Sequence, residues 1–356
     1  MKKYKFIILI NLFVFVLLIK LVDIVIFNKL ELSYLSDNYK LNVRTYKENL
    51  DVLYNDPVQK KNIKLNTDNE GYILGDQYKS EKSNSIFFLG GSTTANIGVE
   101  AKSRFPYLFG KNIDSLNFKV YNAGVGGNHS FHSNLILLSK ILKENPRPKY
   151  VFLHHNVNDI SQLIRTQSYW KDYNDRGILQ SKDQKRFSNP VINLLFKLKE
   201  FLIPNLYMKF SSLFKRNKSS FRNAIDLSST EFNEDVILSE FKNSISLFIN
   251  ICRTYDITPI LMTQYSRYSL DDNEVVKVHS DNFERYKLIC DLHPKFNLAL
   301  KDLSSQLNVY LIDLAAKIPN NNEYLYDEVH LNKKGNILAS NIISTFFTNI
   351  ILKKTN

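Results

Sequence analysis

The sequence predicts an α/β domain built on a five-stranded parallel sheet, preceded by one transmembrane helix. Three observations predict it. Five short, continuous apolar runs are spaced along the chain with helix-period segments between them. Four motifs rich in glycine and polar residues each follow a predicted strand, where open α/β sheets bind their ligands. The chain begins with three lysines and a long apolar run.

That run spans residues 6–27, and nineteen of its twenty-two residues are apolar. About twenty such residues cross a bilayer core. Lys20 and Asp23 lie near its far end, and Lys2, Lys3 and Lys5 precede it. The lysines predict a cytoplasmic N-terminus and an extracytoplasmic domain, periplasmic in a Gram-negative cell. A cleaved signal peptide is the alternative. Cleavage sites favour alanine, and none occurs before Ala95, so an uncleaved signal anchor is favoured. Residues 1–30 are therefore assigned to the cytoplasmic tip and anchor. Residues 31–84 are polar and mixed, and read as a stalk or lead-in. The main folded domain is assigned to 85–356.

Within that domain the strands are expected at 85–89, 118–121, 150–154, 257–263 and 309–313. Residues 231–253 carry helical periodicity through Phe232, Val236, Ile237, Phe241, Ile245, Phe248 and Ile249. Residues 335–352 read as a last helix. Strand–helix alternation of this kind implies a parallel sheet with helices on both faces.

Composition narrows the function. The 356 residues are 44% apolar and 23% charged, which suits a folded core and not a disordered chain. Two cysteines exclude a disulfide-dense scaffold and a Cys₄ zinc site. The net charge of +12 suggests nucleic acid, but its distribution argues against it. Residues 160–228 hold thirteen Lys/Arg against five Asp/Glu, residues 1–30 hold five against one, and the remainder is neutral.

The four motifs carry the chemistry. Gly90-Gly91-Ser92-Thr93 follows the first strand, where glycines permit a sharp turn that exposes a serine hydroxyl. An ordinary strand-to-helix turn capped by Ser92 or Thr93 is the alternative. Asn122-Ala123-Gly124-Val125-Gly126-Gly127 follows the second strand and can present backbone N–H groups to an anion. It lacks the lysine of a phosphate loop. His154-His155-Asn156-Val157-Asn158-Asp159 follows the third strand. A side-chain amide there can donate to an oxyanion, or simply close an Asx-turn. His154 and His155 are adjacent and point to opposite faces, so one of them is expected in the core. Asp327-Glu328-Val329-His330 follows the fifth strand, at a spacing that lets the carboxylate reach the imidazole.

Taken together, in this order, the four motifs resemble the SGNH/GDSL hydrolase superfamily. The resemblance covers residue 85 to the C-terminus with one large insertion. It implies a three-layer α/β/α sandwich with a five-stranded parallel sheet in flavodoxin-like order. It also implies Ser92 as nucleophile, His330 as base and Asp327 as the residue orienting His330. The oxyanion donors it implies are the N–H groups of Ser92 and Gly127 and the side-chain amide of Asn158. No metal or organic cofactor is needed. Two positions depart from the family pattern: Gly91 replaces the usual Asp, and Asn156 stands where Gly is usual. The expected function is a serine esterase, an O-deacetylase, acting on ester groups of an exported or cell-envelope glycan or lipid. An O-acetyltransferase and an inactive glycan-binding module are the alternatives. The partners expected are that substrate and the membrane through residues 6–27, and not nucleic acid.

The insertion at 160–228 carries an apolar stripe over 191–214, broken by Pro204, with basic flanks. It reads either as a lid or membrane-surface element or as a helical pair packed on the core. Cys252 and Cys290 either pair or remain as buried free thiols.

Overall fold

The computed structural model describes residues 10–11, 14–15, 39–56, 58–75, 84–171, 177–181, 232–271, 283–351 and 353. Contacts divide the chain into two units, 1–40 with 181–183, and 41–180 with 184–356. In the first unit, residues 10, 11, 14 and 15 are helical. The rest of the expected anchor at 6–27 lies outside the described residues. Among the described residues no helix is long and apolar enough to cross a membrane. The apolar stripe at 191–214 also lies outside them.

The second unit begins with an antiparallel hairpin, β1 (Asp51–Asp56) paired with β2 (Lys61–Asn66). The parallel strands follow as β3 (Asn84–Gly90), β4 (Phe118–Asn122), β5 (Tyr150–His154), β6 (Thr258–Met262) and β7 (Tyr310–Ile312). Their order across the sheet is β4-β3-β5-β6-β7. This is the flavodoxin-like order, and all five strands fall where the apolar runs predict them. Gly90 pairs with His154, His154 with Met262, and Met262 with Ile312. The carboxyl ends of four strands thus lie in one row.

The α-helices among the described residues of this unit are α1 (Ser92–Ala95), α2 (Phe105–Asn112), α3 (Ser130–Ser139), α4 (Val157–Thr166), α5 (Glu234–Thr254), α6 (Phe283–Gln306), α7 (Leu314–Lys317) and α8 (Lys333–Phe346). Period-two alternation within each strand sorts side chains into two cores. Phe87, Leu89, Val151, Leu153 and Leu261 pack with Phe241, Ile245 and Phe248 of α5 and Phe296 of α6. Ile86, Phe88, Tyr150, Phe152 and Ile260 pack with Phe105 and Phe109 of α2 and Ile343 of α8. Helices therefore cover both faces. Phe88 stacks on Phe152 at 4.4 Å across the second core. Truncating one such ring typically costs about 3–5 kcal/mol.

The structure refines several expectations. The described part of the expected stalk, residues 41–75, falls in the same contact unit as the sheet. Its hairpin buries Ile63 and Leu65 and leaves the alternate positions to solvent, which gives the segment a polar average. The helix expected at 231–253 starts at Glu234, capped by the Asn233 side chain. Phe232 and Val236, two of the residues that carry the periodicity, are exposed. The last helix changes to π-type winding over Phe347–Ile351. Both cysteines are free, Cys252 buried and Cys290 half-buried.

Candidate active site

Ser92 is the first residue of α1, two residues beyond Gly90, the last residue of β3 to pair with β5. The N–H groups of a helix's first turn have no acceptor within the helix, so the Ser92 amide is available to a ligand. Two glycines make the turn possible. A Cβ on Gly90 would lie 2.1 Å from Thr94 Oγ1 and 2.7 Å from the His154 carbonyl oxygen. A Cβ on Gly91 would lie 2.2 Å from Asn158 Nδ2. The departure at Gly91 thus leaves the space that the Asn158 amide occupies.

The glycine loop after β4 lies against this turn. Val125 N donates to the Gly90 carbonyl at 3.0 Å. Gly127 has φ of +78°, a left-handed conformation that favours glycine. Asn158, in the first turn of α4, donates its amide to the Asn128 carbonyl at 2.8 Å. Gly91 and Asn128, the residues next to Ser92 and Gly127, thus both lie against Asn158.

Asp327 and His330 form a compact loop of their own. Asp327 Oδ2 meets His330 Nδ1 at 2.7 Å, while Oδ1 accepts the Val329 and His330 amides at 2.9 and 2.7 Å. Burial pushes the Asp327 carboxyl up, but the His330 charge and these bonds outweigh it and hold it below the usual range. Burial pulls the His330 imidazole down, yet the Asp327 carboxylate holds it above its ordinary value. Tyr326 stacks on the imidazole with centroids 5.6 Å apart.

Asn96 joins the two halves. It caps α1 in the left-handed region, with φ of 42°, a conformation asparagine tolerates. Its Nδ2 donates to the Leu331 carbonyl at 3.3 Å and to Asn336 Oδ1 at 2.9 Å. The serine turn is thus tied to the residue after His330. Gln264, beyond β6, ties the serine turn to α4. Its Oε1 accepts from Val157 N and its Nε2 donates to Thr93 Oγ1, both at 2.9 Å.

Asp159 is buried beneath the glycine loop. Its Oδ1 accepts from Ser130 N at 2.9 Å and from the Tyr169 hydroxyl at 2.5 Å. Burial raises its carboxyl to about 6. His154 and His155 are both buried, not one, and on opposite sides. His154 Nδ1 faces Thr94 Oγ1 at 3.2 Å, and His155 Nε2 faces Ser133 Oγ at 2.7 Å. Burial lowers both imidazoles, His154 to about 3, so both are neutral. Asn156, the second departure, turns away from the serine and donates to the His293 carbonyl and Asn297 Oδ1, each at 2.9 Å.

Asn128 and Tyr326 stand at the edges of the second and fourth motifs without an assigned role, and Asn96 and Gln264 lie outside the motifs. Asn128 carried one signal, its place directly after Gly127. Asn96 and Gln264 carried none, because their partners lie far away in sequence.

No protein-family model matches the sequence, and no curated protein matches it. Among solved structures, the chain is similar to a GDSL-like lipase from Bacteroides thetaiotaomicron at 10% identity, covering 76% of this chain and 90% of that one, with a TM-score of 0.42. It is similar to the acetylxylan esterase Axe2 from Geobacillus stearothermophilus at 12% identity, covering 74% and 94%, with a TM-score of 0.41. It is also similar to an acetyl xylan esterase, AlAXEase, at 17% identity, covering 73% and 97%, with a TM-score of 0.42.

Proposed function

We propose that the chain is a serine esterase of the SGNH/GDSL type. The observation that carries this reading is the Asp327–His330 pair at 2.7 Å, tied to the Ser92 turn through Asn96. Ser92 is the nucleophile, His330 the base and Asp327 the residue that holds the imidazole tautomer. His330 Nε2 takes the proton from Ser92 Oγ, and Oγ bonds to the ester carbonyl carbon. The oxyanion faces the N–H groups of Ser92 and Gly127 and the Asn158 amide. His330 returns the proton to the departing alcohol. Water then attacks the acyl-serine with the same imidazole as base, which releases the acid and restores the serine.

The proposed substrate is an O-acetyl ester on an exported or cell-envelope glycan. The apolar run at 6–27 supports this placement, since it would hold the domain on the extracytoplasmic side of the membrane. The test is p-nitrophenyl acetate hydrolysis by the full-length chain and by Ser92→Ala. Turnover should fall on the order of 10⁴-fold or more in the variant. Equal rates in the two proteins would reject the nucleophile.

A further inference from the structure

Residues 42–46 precede the hairpin and reach the glycine loop from outside the sheet. Arg44 Nη2 donates to the Gly126 carbonyl at 3.2 Å. The Arg44 carbonyl accepts from Asn128 Nδ2 at 3.2 Å. Gly126 N donates to the Tyr46 hydroxyl at 3.3 Å. Both neighbours of Gly127 are therefore held by the lead-in, and Asn128 in turn accepts the Asn158 amide. Gly126 and Gly127 have no side chains to restrict their own dihedrals, so the direction of the Gly127 N–H must be imposed from outside. Tyr46 is itself fixed. Its ring packs against the cluster of Leu65, Ile73 and Ala95, and its carbonyl oxygen lies 2.4 Å from where a Cβ on Gly71 would sit. Gly71 has φ of +81°, so that close approach depends on glycine twice over.

We propose that Arg44 and Tyr46 are positioning residues for the anion-binding donors of Gly127 and Asn158. The lead-in is then a working part of the site and not a tether. The inference rests on the serine-esterase reading for its kinetic consequence, but its structural consequence stands apart from it. An error of about 1 Å in such donors can cost on the order of 100-fold in rate. One lost bond to the loop should cost less.

Tyr46→Phe keeps the ring and removes only the hydroxyl. In the full-length chain, kcat on p-nitrophenyl acetate should fall about tenfold with KM within about twofold. Amide hydrogen exchange across residues 124–129 should quicken, while 150–154 keep their protection. Arg44→Lys should be milder than Arg44→Ala by both measures. A merely structural role would lower Tm and leave the kcat of the folded protein unchanged. An unchanged kcat in Tyr46→Phe beside an active wild type overturns the proposal. Unchanged exchange at 124–129 in both Tyr46→Phe and Arg44→Ala overturns it whether or not the wild type is active. An inactive wild type with quickened loop exchange in the variants supports the positioning and rejects the esterase reading.

Discussion

The two halves of the site are built in opposite ways. The Asp327–His330 loop is held by its own residues, since one carboxylate accepts two amides and one imidazole within four positions. The glycine loop is held from elsewhere: by Arg44 and Tyr46 about eighty residues earlier, and by Asn158 and Asp159 about thirty later. The Asp327–His330 contact is thus local, although Arg267 N donates to the Glu328 carbonyl at 2.7 Å and Asn96 to the Leu331 carbonyl, whereas the glycine-loop half depends on distant residues throughout. Damage to the first should be chemical, and damage to the second geometric.

The largest expected effect tests the local half. Asp327→Asn should leave the loop folded but favour the wrong tautomer, with kcat down on the order of 10⁴-fold. The same pair sets the pH profile. Because His330 is held above its ordinary value, the wild-type kcat/KM should rise with pH to a midpoint above 6.5 and be lost below it. A midpoint at or below 6.5 would contradict the coupling.

The next effects test the assembled half. Asn158→Ala should lower kcat about 100- to 1,000-fold and leave Tm nearly unchanged, as measured by turnover and thermal melting. Gly91→Ala introduces a methyl where the Asn158 amide sits, and should cost about 10- to 100-fold. If the two act through one amide, the double variant should be no worse than Asn158→Ala alone. Additive losses would show that Gly91 acts by another route.

The smallest effect concerns Asp159. Its carboxyl is raised in the folded state, so the stability it lends is present below its unfolded value near 3.8 and is lost as pH rises through about 6. Tm should therefore fall between pH 5 and pH 7 by a component, on the order of a few degrees, that Asp159→Asn lacks. Identical pH dependence in the two proteins would place the proton elsewhere.

This asymmetry also explains what the sequence made legible. Strands β3, β5 and β6 are buried over most of their length, so each carries an apolar run that needs no partner to be recognised. The Asp327–His330 pair is legible because its members are three residues apart. Residues 42–46 are half-exposed and, like the hairpin after them, average to polar, so the contacts of Arg44 and Tyr46 with the glycine loop left no trace. Helix α6 was not marked out either, since Pro294 stands inside it. Asn96 and Gln264 act on residues so distant in the chain that no spacing rule could pair them.

The burial of the histidines has a practical consequence. Of the six described, His129, His132, His154, His155 and His293 are each no more than 5% exposed, whereas the His330 side chain is 21% exposed. Among these six, a reagent that carbethoxylates imidazole should reach His330 first. The protein thus carries an intrinsic chemical reporter of the Asp327–His330 loop, readable by peptide mass mapping without a substrate in hand.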